Sequence, residues 1–351
     1  MHIPARMTAV LLTGHGGLDR LQVCDVPTPL PGADEVLLKI GAAGINNTDV
    51  NLRVGWYSKT PGEDATRVAA DAGWTGSAIE LPRIQGADAC GRIVAAGSNV
   101  PPARIGERVL VNPVLDGVAG EPGAPRYLGS DCDGAFAEYV CVPSHSAVRI
   151  ESPLTDAELA SFPCAYLAAE NMLCRAHVTG ADTVLVTGAS GGVGSAAVQL
   201  ARRRGARVYA VAGTAKAAAV GALGAERVLG RGEDPVAALG RESVTVAIDV
   251  AGGPAFGALL GVLARNGRYA VAGAIAGPVV ELDLRTLYLK DLTLVGCTIP
   301  ARGTFEALVG HIERGEVRPL VSATYALRDI HAAQQAFLEK AHVGKIVLVP
   351  Y

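Results

Sequence analysis

The chain has 351 residues, of which half are hydrophobic, and a formal net charge of −3. This length suits two domains with cores of their own, and the near-neutral charge argues against a nucleic-acid-binding face or a polybasic membrane patch. No apolar run reaches the roughly 18 residues that a membrane span needs, and the first residues do not resemble a secretory signal. Seven scattered cysteines without a CxxC pair argue against a disulfide framework, so we expect a cytoplasmic protein.

Short apolar runs, broken by glycine and proline, fill the chain from Ala9 to about Ile150. This pattern is typical of an all-β, barrel-like unit with short strands. The clearest runs are AVLLTG, EVLLKIGAAGI, GRIVAAG, ERVLVNP and AFAEYVCVP.

The pattern changes from about Ser152 onward, where apolar strands alternate with helical segments. Thr155 is a candidate helix N-cap because Glu158 follows three residues later, the spacing of a capping box. The alternation predicts a parallel sheet covered by helices on both faces. The tail from about Pro300 adds predicted helices near Thr304–Arg314 and Ile330–Lys340 and a last strand, GKIVLVP.

A glycine-rich turn lies between the predicted strand TVLVTG and the helix SAAVQLARRRG. Its pattern is A-x-G-x-x-G, with Ala in place of the first glycine of the usual dinucleotide-binding fingerprint. Gly191 would let the backbone approach a pyrophosphate, Gly194 would let the helix pack closely on its strand, and the helix N-terminus favours an anion. We therefore predict a cofactor-binding turn at Ala189, Ser190, Gly191, Gly192, Val193 and Gly194.

The end of the second strand, ARVYAVAG, lacks the acidic residue that usually binds the ribose 2′-hydroxyl of NAD. Ala212 stands there, followed by Gly213 and Thr214, and a small residue leaves room for a 2′-phosphate. Thr214, Lys216 and Arg231 can supply a hydrogen-bond donor and positive charge. These observations favour NADPH, although Lys216 and Arg231 are also compatible with ordinary solvated surface charges.

The order of these features resembles the medium-chain dehydrogenase/reductase superfamily over essentially the whole chain. The blocks GINNTDVNLRVGWY, QGADACGRIVAAG, IGERVLV and DGAFAEYVCVP resemble its quinone oxidoreductase branch. The resemblance implies a GroES-like β-barrel catalytic domain over residues 1–151, to which residues 300–351 return. It implies a Rossmann doubly wound parallel-sheet domain over residues 152–299.

The resemblance also makes zinc a testable point. Zinc-dependent relatives have Cys where this chain has Asn46, and a His-Glu pair where it has Ala87 and Asp88. A catalytic zinc site needs about three Cys, His or carboxylate ligands. The remaining cysteines, among them Cys90 and Cys164, lack metal-ligand spacing and are expected to be small hydrophobic residues. We therefore predict no metal site.

Without zinc, reduction of a conjugated carbonyl is the favoured chemistry, because neutral hydrogen-bond donors can meet the charge that develops on oxygen. Asn46 and Tyr57 are the predicted catalytic residues, each as a donor to a substrate oxygen or, for Asn46, to the nicotinamide ribose. Asn46 could instead satisfy local backbone, and Tyr57 could instead pack on the cleft wall. Asn51 replaces a Tyr of the family pattern, and Asp49 is expected to stabilise loop geometry.

Further cofactor contacts are expected at the carboxyl ends of the parallel strands. The candidates are Val250, Ala272, Gly273 and Ala274, and the resemblance adds Lys345 in the last cofactor-contacting turn.

The long segment between Tyr57 and Gly86, with Trp74, is either a lid or an insertion without a role. The segment NPVLDGVAGEPGAPRYLGSDC is another candidate for the pocket rim. The strand LTLVGCT pairs with its twin in many relatives, so a homodimer is expected.

Three functions remain open from the sequence. The favoured one is an NADPH-dependent oxidoreductase acting on small-molecule quinones or α,β-unsaturated carbonyls, with neither nucleic acid nor membrane as a partner. The second is a zinc-dependent alcohol or aldehyde dehydrogenase, which would need a metal. The third is a non-catalytic NADPH-binding protein with a sensor or structural role.

Overall fold

The structure, a computed structural model, describes residues 2–58, 73–74, 78–116 and 125–350. The chain divides into two compact units. The first unit contains Met1–Cys164 and Phe305–Tyr351, and the second contains Ala165–Thr304. The C-terminal segment therefore returns to the N-terminal unit.

The first unit is built mainly from short strands. Their bounds are β1 Arg6–Leu12, β2 Leu21–Pro27, β3 Glu35–Gly44, β4 Arg83–Ile84, β5 Cys90–Ala96, β6 Arg108–Val111, β7 Val114–Asp116, β8 Arg126–Tyr127, β9 Tyr139–Pro143, β10 Ala147–Arg149, β17 Val321–Ala326 and β18 Lys345–Val349. They form a three-stranded sheet in the order β2-β1-β4, a larger sheet in the order β10-β6-β5-β3-β18-β17 with β9 also paired to β3, and the pair β7-β8. Strand β3 is central and contributes the fully buried Leu37, Leu38 and Ile40 to the core.

The second unit is one parallel sheet. Its strands are β11 Thr183–Val186, β12 Arg207–Ala212, β13 Arg227–Gly230, β14 Val244–Asp249, β15 Leu263–Val271 and β16 Thr293–Gly296. Their order across the sheet is β13-β12-β11-β14-β15-β16, and every neighbouring pair is parallel. This is the strand order of a doubly wound dinucleotide-binding sheet, in which the direction of winding reverses beside the first strand. The predicted fold class is confirmed.

Helices connect these strands. Their bounds are α1 Asn47–Val54, α2 Asp156–Leu159, α3 Pro163–Arg175, α4 Gly192–Arg203, α5 Ala217–Gly221, α6 Pro235–Leu239, α7 Phe256–Val262, α8 Leu284–Leu289, α9 Thr304–Glu313 and α10 Ile330–Glu339. Each apolar run singled out in the first unit overlaps a strand, and both predicted C-terminal helices are present. None of the helices in the described part of the chain is long and apolar enough to cross a membrane.

The division between the units differs from the predicted one. Residues 152–164 and 300–304 change sides relative to the predicted boundaries at 151/152 and 299/300. The physical reason for the first shift is Arg108, whose guanidinium donates to the Asp156 carboxylate (2.7 Å) and to the carbonyl of Leu154 (2.6 Å). These contacts attach the segment before α2 to strand β6 of the first unit.

The capping box at Thr155 is present as predicted, and the helix that it begins has only four residues. The Thr155 hydroxyl accepts from the Glu158 amide, and the Glu158 carboxylate accepts from the Thr155 amide at 2.8 Å. Helix α2 then ends at Leu159, and a new helix, α3, starts at Pro163. Proline suits a first helical position because its missing N–H has no intrahelical partner there.

Candidate cofactor site and active site

The predicted cofactor residues of the second unit lie at the carboxyl ends of its parallel strands. Because all the strands are parallel, the turns that follow β11, β12, β13, β14 and β15 leave the sheet on the same edge. These turns contain Ala189–Gly194, Gly213–Lys216, Arg231, Val250 and Ala272–Ala274. The structure thus brings together every cofactor residue predicted from the sequence except Lys345, which belongs to the first unit.

The turn after β11 packs the start of α4 directly onto the strand end. A Cβ atom on Gly194 would lie 2.3 Å from the Gly188 carbonyl oxygen and 2.8 Å from the Ala189 Cα, so no larger residue fits without a backbone shift. Gly188 itself has a φ of +57°, which favours glycine. Gly194 is therefore required by protein packing alone.

Gly191 is different, because protein packing does not require a glycine there. Its φ of −83° is ordinary, and an added Cβ would meet only the Gly188 carbonyl oxygen, at 3.5 Å. Gly191 is also the N-cap of α4 and has no side chain to bind the first amides of that helix. A smooth backbone surface beside unbonded amides fits a pyrophosphate, so the residues present fit a dinucleotide.

Two basic side chains stand beside the end of β12. A Cβ atom on Gly213 would lie 3.9 Å from Arg231 Nε. The pKa of Lys216 is lowered by burial and by the positive charge of Arg231, so the two cations are near neighbours. The strand itself ends at the buried Ala212, which contributes no carboxylate. This arrangement can accept an additional anionic group.

Asp249 organises the neighbouring turn after β14. Its buried carboxylate accepts hydrogen bonds from the hydroxyls of Thr187 and Tyr269, both at 2.5 Å, and from the amides of Ala251 and Gly252. Burial and the adjacent carboxylate raise the pKa of Tyr269 above its usual value. The same Thr187 hydroxyl accepts from the Val250 amide at 3.0 Å. Asp249 is therefore a positioning residue for the turn that holds Val250.

The first unit contains a buried polar cluster formed by Asn46, Asp88 and Lys345. The Lys345 ammonium donates to Asp88 Oδ2 and to the Ile45 carbonyl, each at 2.8 Å, and to Asn46 Oδ1. Asn46 Nδ2 donates to Asp88 Oδ2 at 2.9 Å and to the Gly44 carbonyl at 3.3 Å. Asp88 and Lys345 are both almost fully buried, so the ion pair is shielded from solvent.

The Asn46 amide uses both of its hydrogens inside this cluster. Its orientation is set by Lys345, because a flipped amide would point its NH₂ group at the ammonium. The predicted role of Asn46 as a donor to a substrate oxygen or a ribose therefore lacks a donor hydrogen in this structure. In this structure the Asn46 side chain instead hydrogen-bonds to both Asp88 and Lys345 and so fixes their positions.

Asp49, the third residue of α1, lies under the same cluster. Its carboxylate accepts from the main-chain N–H of Asn46 at 2.7 Å, and a backbone hydrogen bond from Gly86 also stabilises its charged form. Burial outweighs these bonds and raises the pKa of Asp49 to about 7. Asp49 is thus a buried carboxyl group that titrates near neutrality.

Tyr57 lies close to this cluster, just beyond the end of α1. Asn51 Nδ2 donates to its hydroxyl oxygen at 3.4 Å, and the Thr48 side chain also hydrogen-bonds to it. Burial raises the pKa of Tyr57 above its usual value, so the hydroxyl is protonated at neutral pH. A neutral phenol with its own hydrogen to donate can meet negative charge on a substrate oxygen.

Two protein-family descriptions match separate parts of the chain. The alcohol dehydrogenase GroES-like domain matches residues 32–152, and the zinc-binding dehydrogenase domain matches residues 192–314. A Sinorhizobium meliloti 1021 protein of known crystal structure, described as an alcohol dehydrogenase, is 48% identical, with 99% of this chain and 98% of that chain covered and a TM-score of 0.91. The chain belongs to the medium-chain dehydrogenase/reductase superfamily.

Relatives of this superfamily member differ in their reactions. The acryloyl-coenzyme A reductase of Metallosphaera sedula is 29% identical, with 97% of this chain and 99% of the relative covered. The NAD-dependent alcohol dehydrogenase of Sulfurisphaera tokodaii is also 29% identical, covering 94% and 96%. The quinone oxidoreductase of Homo sapiens is 26% identical, covering 98% of both chains. Membership of the superfamily supports the conclusion that this chain is an oxidoreductase that uses a pyridine nucleotide and a small-molecule substrate.

Zinc does not fit the residues of this dehydrogenase/reductase at the positions that would hold it. Asn46 Oδ1 and Asp88 Oδ2 both accept from the Lys345 ammonium, and Asp88 Oδ1 accepts from the Cys164 amide at 2.6 Å. A divalent cation beside these oxygens would face a buried ammonium group at a few ångströms, which is strongly unfavourable. Among the residues that the structure describes, no group of three His, Cys, Asp or Glu side chains is arranged to bind a metal.

Lys345 was expected in a turn that contacts the cofactor. It is instead the first residue of β18, and its ammonium is bonded to Asn46, Asp88 and Ile45, with the residue only 3% exposed. A cofactor contact by its side chain would therefore compete with three existing hydrogen bonds. Its resemblance-based role stays a prediction, whereas its pairing with Asp88 is a feature of the fold.

Sequence reasoning missed several polar residues of this superfamily member. Tyr127 and Cys164 were assigned only to a candidate rim segment and to the inert cysteines, yet their side chains are hydrogen-bonded to each other. Thr187 and Tyr269 had no assigned role beside Asp249. The candidate lid between Tyr57 and Gly86 lies largely outside the described residues, as does part of the predicted pocket rim.

Proposed function

We propose that the chain is an NADPH-dependent reductase of quinones or α,β-unsaturated carbonyls that works without zinc. The observation that supports it most directly is the buried Lys345 ammonium among the side chains where a metal would need ligands. At these positions the chain has an internally neutral ion pair between Lys345 and Asp88. A site of this kind suits reactions in which oxygen charge is met by neutral donors.

The cofactor preference follows from the turn after β12. With Lys216 and Arg231 beside Gly213, two positive charges lie near the end of β12, and Ala212 at the strand end contributes no carboxylate that would repel a 2′-phosphate. Glu233 accepts from the Gly230 amide at the neighbouring strand end and lies 3.6 Å from Arg227, which offsets its charge. We infer that Ala189–Gly194, Gly213, Thr214, Val250 and Ala272–Ala274 hold the rest of the dinucleotide. Bound NADPH supplies the hydride and its electron pair.

The first unit supplies the groups that act on the substrate. Tyr57 donates a hydrogen bond to the carbonyl oxygen on which negative charge develops when the β-carbon or quinone ring is reduced. Asn51 and Thr48 hold the Tyr57 hydroxyl in place. Asn46 acts through Asp88 and Lys345, by keeping that ion pair rigid and neutral. The proton that completes the reaction comes from solvent.

Steady-state consumption of NADPH with a panel of quinones, enals and enones tests this function. We expect turnover with members of the panel, a kcat/KM for NADPH at least ~10-fold above that for NADH, and no change after dialysis against a chelator. Tyr57→Phe should lower kcat/KM by roughly 10- to 100-fold, as expected for one lost donor to a developing oxyanion. Saturable NADPH binding without turnover would instead support a sensor or structural role.

An alcohol dehydrogenase remains the second candidate, because relatives with that description match nearly the whole chain. Elemental analysis of the purified protein separates the two. Stoichiometric zinc, together with oxidation of alcohols by NAD⁺, would support the alcohol dehydrogenase and contradict the zinc-free reductase.

A homodimer is also proposed from the edge strand β16. Exposed apolar side chains lie on this strand and on the segment before it. They are Ile275, Val279, Val280, Leu284, Tyr288, Leu289 and Leu294. An uncovered edge with such a surface favours pairing with a second copy of the chain.

A further inference from the structure

A tyrosine and a cysteine of the first unit share a hydrogen bond that the proposed function does not use. The hydroxyl of Tyr127 lies 3.1 Å from Cys164 Sγ. Tyr127 ends strand β8 and is only 4% exposed, and Cys164 lies at the start of α3. We call these two side chains the Tyr127–Cys164 pair.

Both members of the pair are held firmly in position. The indole of Trp74 stacks on the Tyr127 ring, with 4.2 Å between centroids and 23° between planes. The Tyr127 amide donates to Asp131 Oδ2 at 2.8 Å, and the Cys164 amide donates to Asp88 Oδ1 at 2.6 Å. Cys164 is thereby attached to the same carboxylate that binds Lys345.

A count of hydrogens shows that the pair has one to spare. Burial raises the pKa of Tyr127 well above its usual value and raises the pKa of Cys164 to about 12, so both groups are protonated at neutral pH. Two hydrogens and one shared bond leave one hydrogen over, whichever atom donates within the pair. Within the described ranges, neither side chain makes a second hydrogen bond.

The pair and Tyr57 lie within electrostatic reach of one another. Burial is the main cause of the raised pKa of Tyr57, with a smaller contribution from Cys164. Burial is also the main cause of the raised pKa of Tyr127, with smaller contributions from Cys164, Asp88 and Tyr57. Two phenols and a thiol, all neutral, therefore converge in one region of the first unit. A buried donor without an acceptor is costly unless a ligand completes it.

We propose that the Tyr127 hydroxyl, which accepts from the Cys164 thiol within the pair, is a second hydrogen-bond donor to the carbonyl oxygen of the substrate and acts together with Tyr57. This inference rests on the proposed function, and it specifies the substrate as a neutral conjugated carbonyl whose oxygen becomes an enolate or phenolate. Two neutral donors stabilise such an oxygen more than one does, without placing a fixed cation beside it. Trp74 is a positioning residue that keeps the Tyr127 ring in place.

The protonated state of Cys164 also suits such a substrate. Thiolates add to the β-carbon of enones, whereas thiols react slowly. The burial that raises the pKa of Cys164 to about 12 therefore protects the thiol from the electrophile that the site binds. The pair can thus lie beside an α,β-unsaturated carbonyl without being alkylated.

Binding of 4-nitrophenolate, a stable mimic of an enolate oxygen, tests the proposal independently of turnover. The full-length chain is titrated with this phenol, with and without NADP⁺, and the absorbance of the bound phenolate is followed. Tyr127→Phe should weaken binding about 10- to 100-fold, because a hydrogen bond to a charged oxygen is lost. Cys164→Ala should change it by less than ~3-fold, because the Tyr127 hydroxyl keeps its hydrogen.

Tyr139→Phe is the matched control, since it removes another buried hydroxyl from the same unit. Its affinity for the phenolate should equal that of the unaltered chain. If Tyr127→Phe does not fold, Tyr127→Met fills the space without a hydroxyl and carries the same expectation. In steady-state assays, Tyr127→Phe should lower kcat/KM for the carbonyl by a similar factor while KM for NADPH is unchanged.

The outcomes separate this proposal from the proposed function. Tyr127-dependent phenolate binding without turnover of any carbonyl would support the donor site and contradict the reductase. Turnover and phenolate binding that are unaffected by Tyr127→Phe would support the reductase and overturn the pair as a donor. Failure of the unaltered chain to bind the phenolate would also overturn it.

Discussion

Asp49 illustrates how burial, as the largest cause, can raise the pKa of a carboxyl group to about 7. Its pKa is raised from 3.8 to about 7, mainly by desolvation, despite two backbone hydrogen bonds to the charged form. The folded chain therefore binds a proton between about pH 4 and 7 that the unfolded chain has released. The free energy of unfolding falls with rising pH across this interval. Above it, the folded state carries the full destabilisation caused by the buried Asp49 charge.

Asp49→Asn should remove this dependence. The stability of the variant relative to the unaltered chain should rise from pH 4 to 7, with a slope approaching about 1.4 kcal/mol per pH unit, and stay level above pH 7. Urea denaturation at several pH values measures it. A flat difference for Asp49→Asn would mean that this carboxyl titrates normally.

Arg231 is the residue on which the cofactor preference depends most directly. Arg231→Ala should raise the KM for NADPH by ~10-fold or more and leave the KM for NADH nearly unchanged, since only NADPH has the 2′-phosphate. Arg265→Ala is the matched control, because it also removes an arginine from the surface of the second unit. Equal losses with both nucleotides would contradict a 2′-phosphate contact at Arg231.

At the scale of elements, the start of α4 has one glycine that packing requires, Gly194, and one that we propose lies against the pyrophosphate, Gly191. Gly194→Ala should lower the free energy of unfolding by about 1–3 kcal/mol, because its Cβ would overlap the Gly188 carbonyl. Gly191→Ala should leave stability nearly unchanged but weaken NADPH binding by ~10-fold or more, because a methyl group would occupy the approach of the pyrophosphate.

Thermal denaturation and fluorescence titration of NADPH measure the two effects separately. The two variants serve as controls for each other, because each adds one methyl group and the substituted residues are three positions apart in the chain. Strong destabilisation by Gly191→Ala, or unchanged cofactor affinity in that variant, would show that this glycine is not part of a binding surface.

At the scale of the whole molecule, the exposed apolar side chains on and before β16 predict association through this edge. Leu294→Lys should shift the protein from dimer to monomer in light scattering, because a charge on an edge strand opposes pairing with a second copy. Leu338→Lys is the control, since Leu338 is 40% exposed against 39% for Leu294 but lies on α10 of the other unit. A monomer in the unaltered chain would contradict the dimer.

The fold of the second unit was predictable because its signals are local. A buried strand, a glycine turn and a helix are contiguous in the chain, and a parallel sheet necessarily brings successive turns to one edge. The predicted residues from Ala189 to Ala274 therefore lie along that edge. Even the missing carboxylate at Ala212 can be read from a single position.

Tertiary structure alone decided the polar chemistry of the first unit. Lys345 reaches Asn46 across 299 positions of sequence and Asp88 across 257, and Cys164 meets Tyr127 across 37. Such pairs form only where β18 pairs with β3 and where the start of α3 contacts Asp88 and Tyr127. The sequence by itself determined the dinucleotide-binding fold, and it has Asn46 and Ala87 at positions where zinc-dependent relatives have ligands. Folding decided that Asn46 has no hydrogen to donate and that Tyr127 and Cys164 have one left over, because hydrogen bonds between distant residues depend on three-dimensional closure.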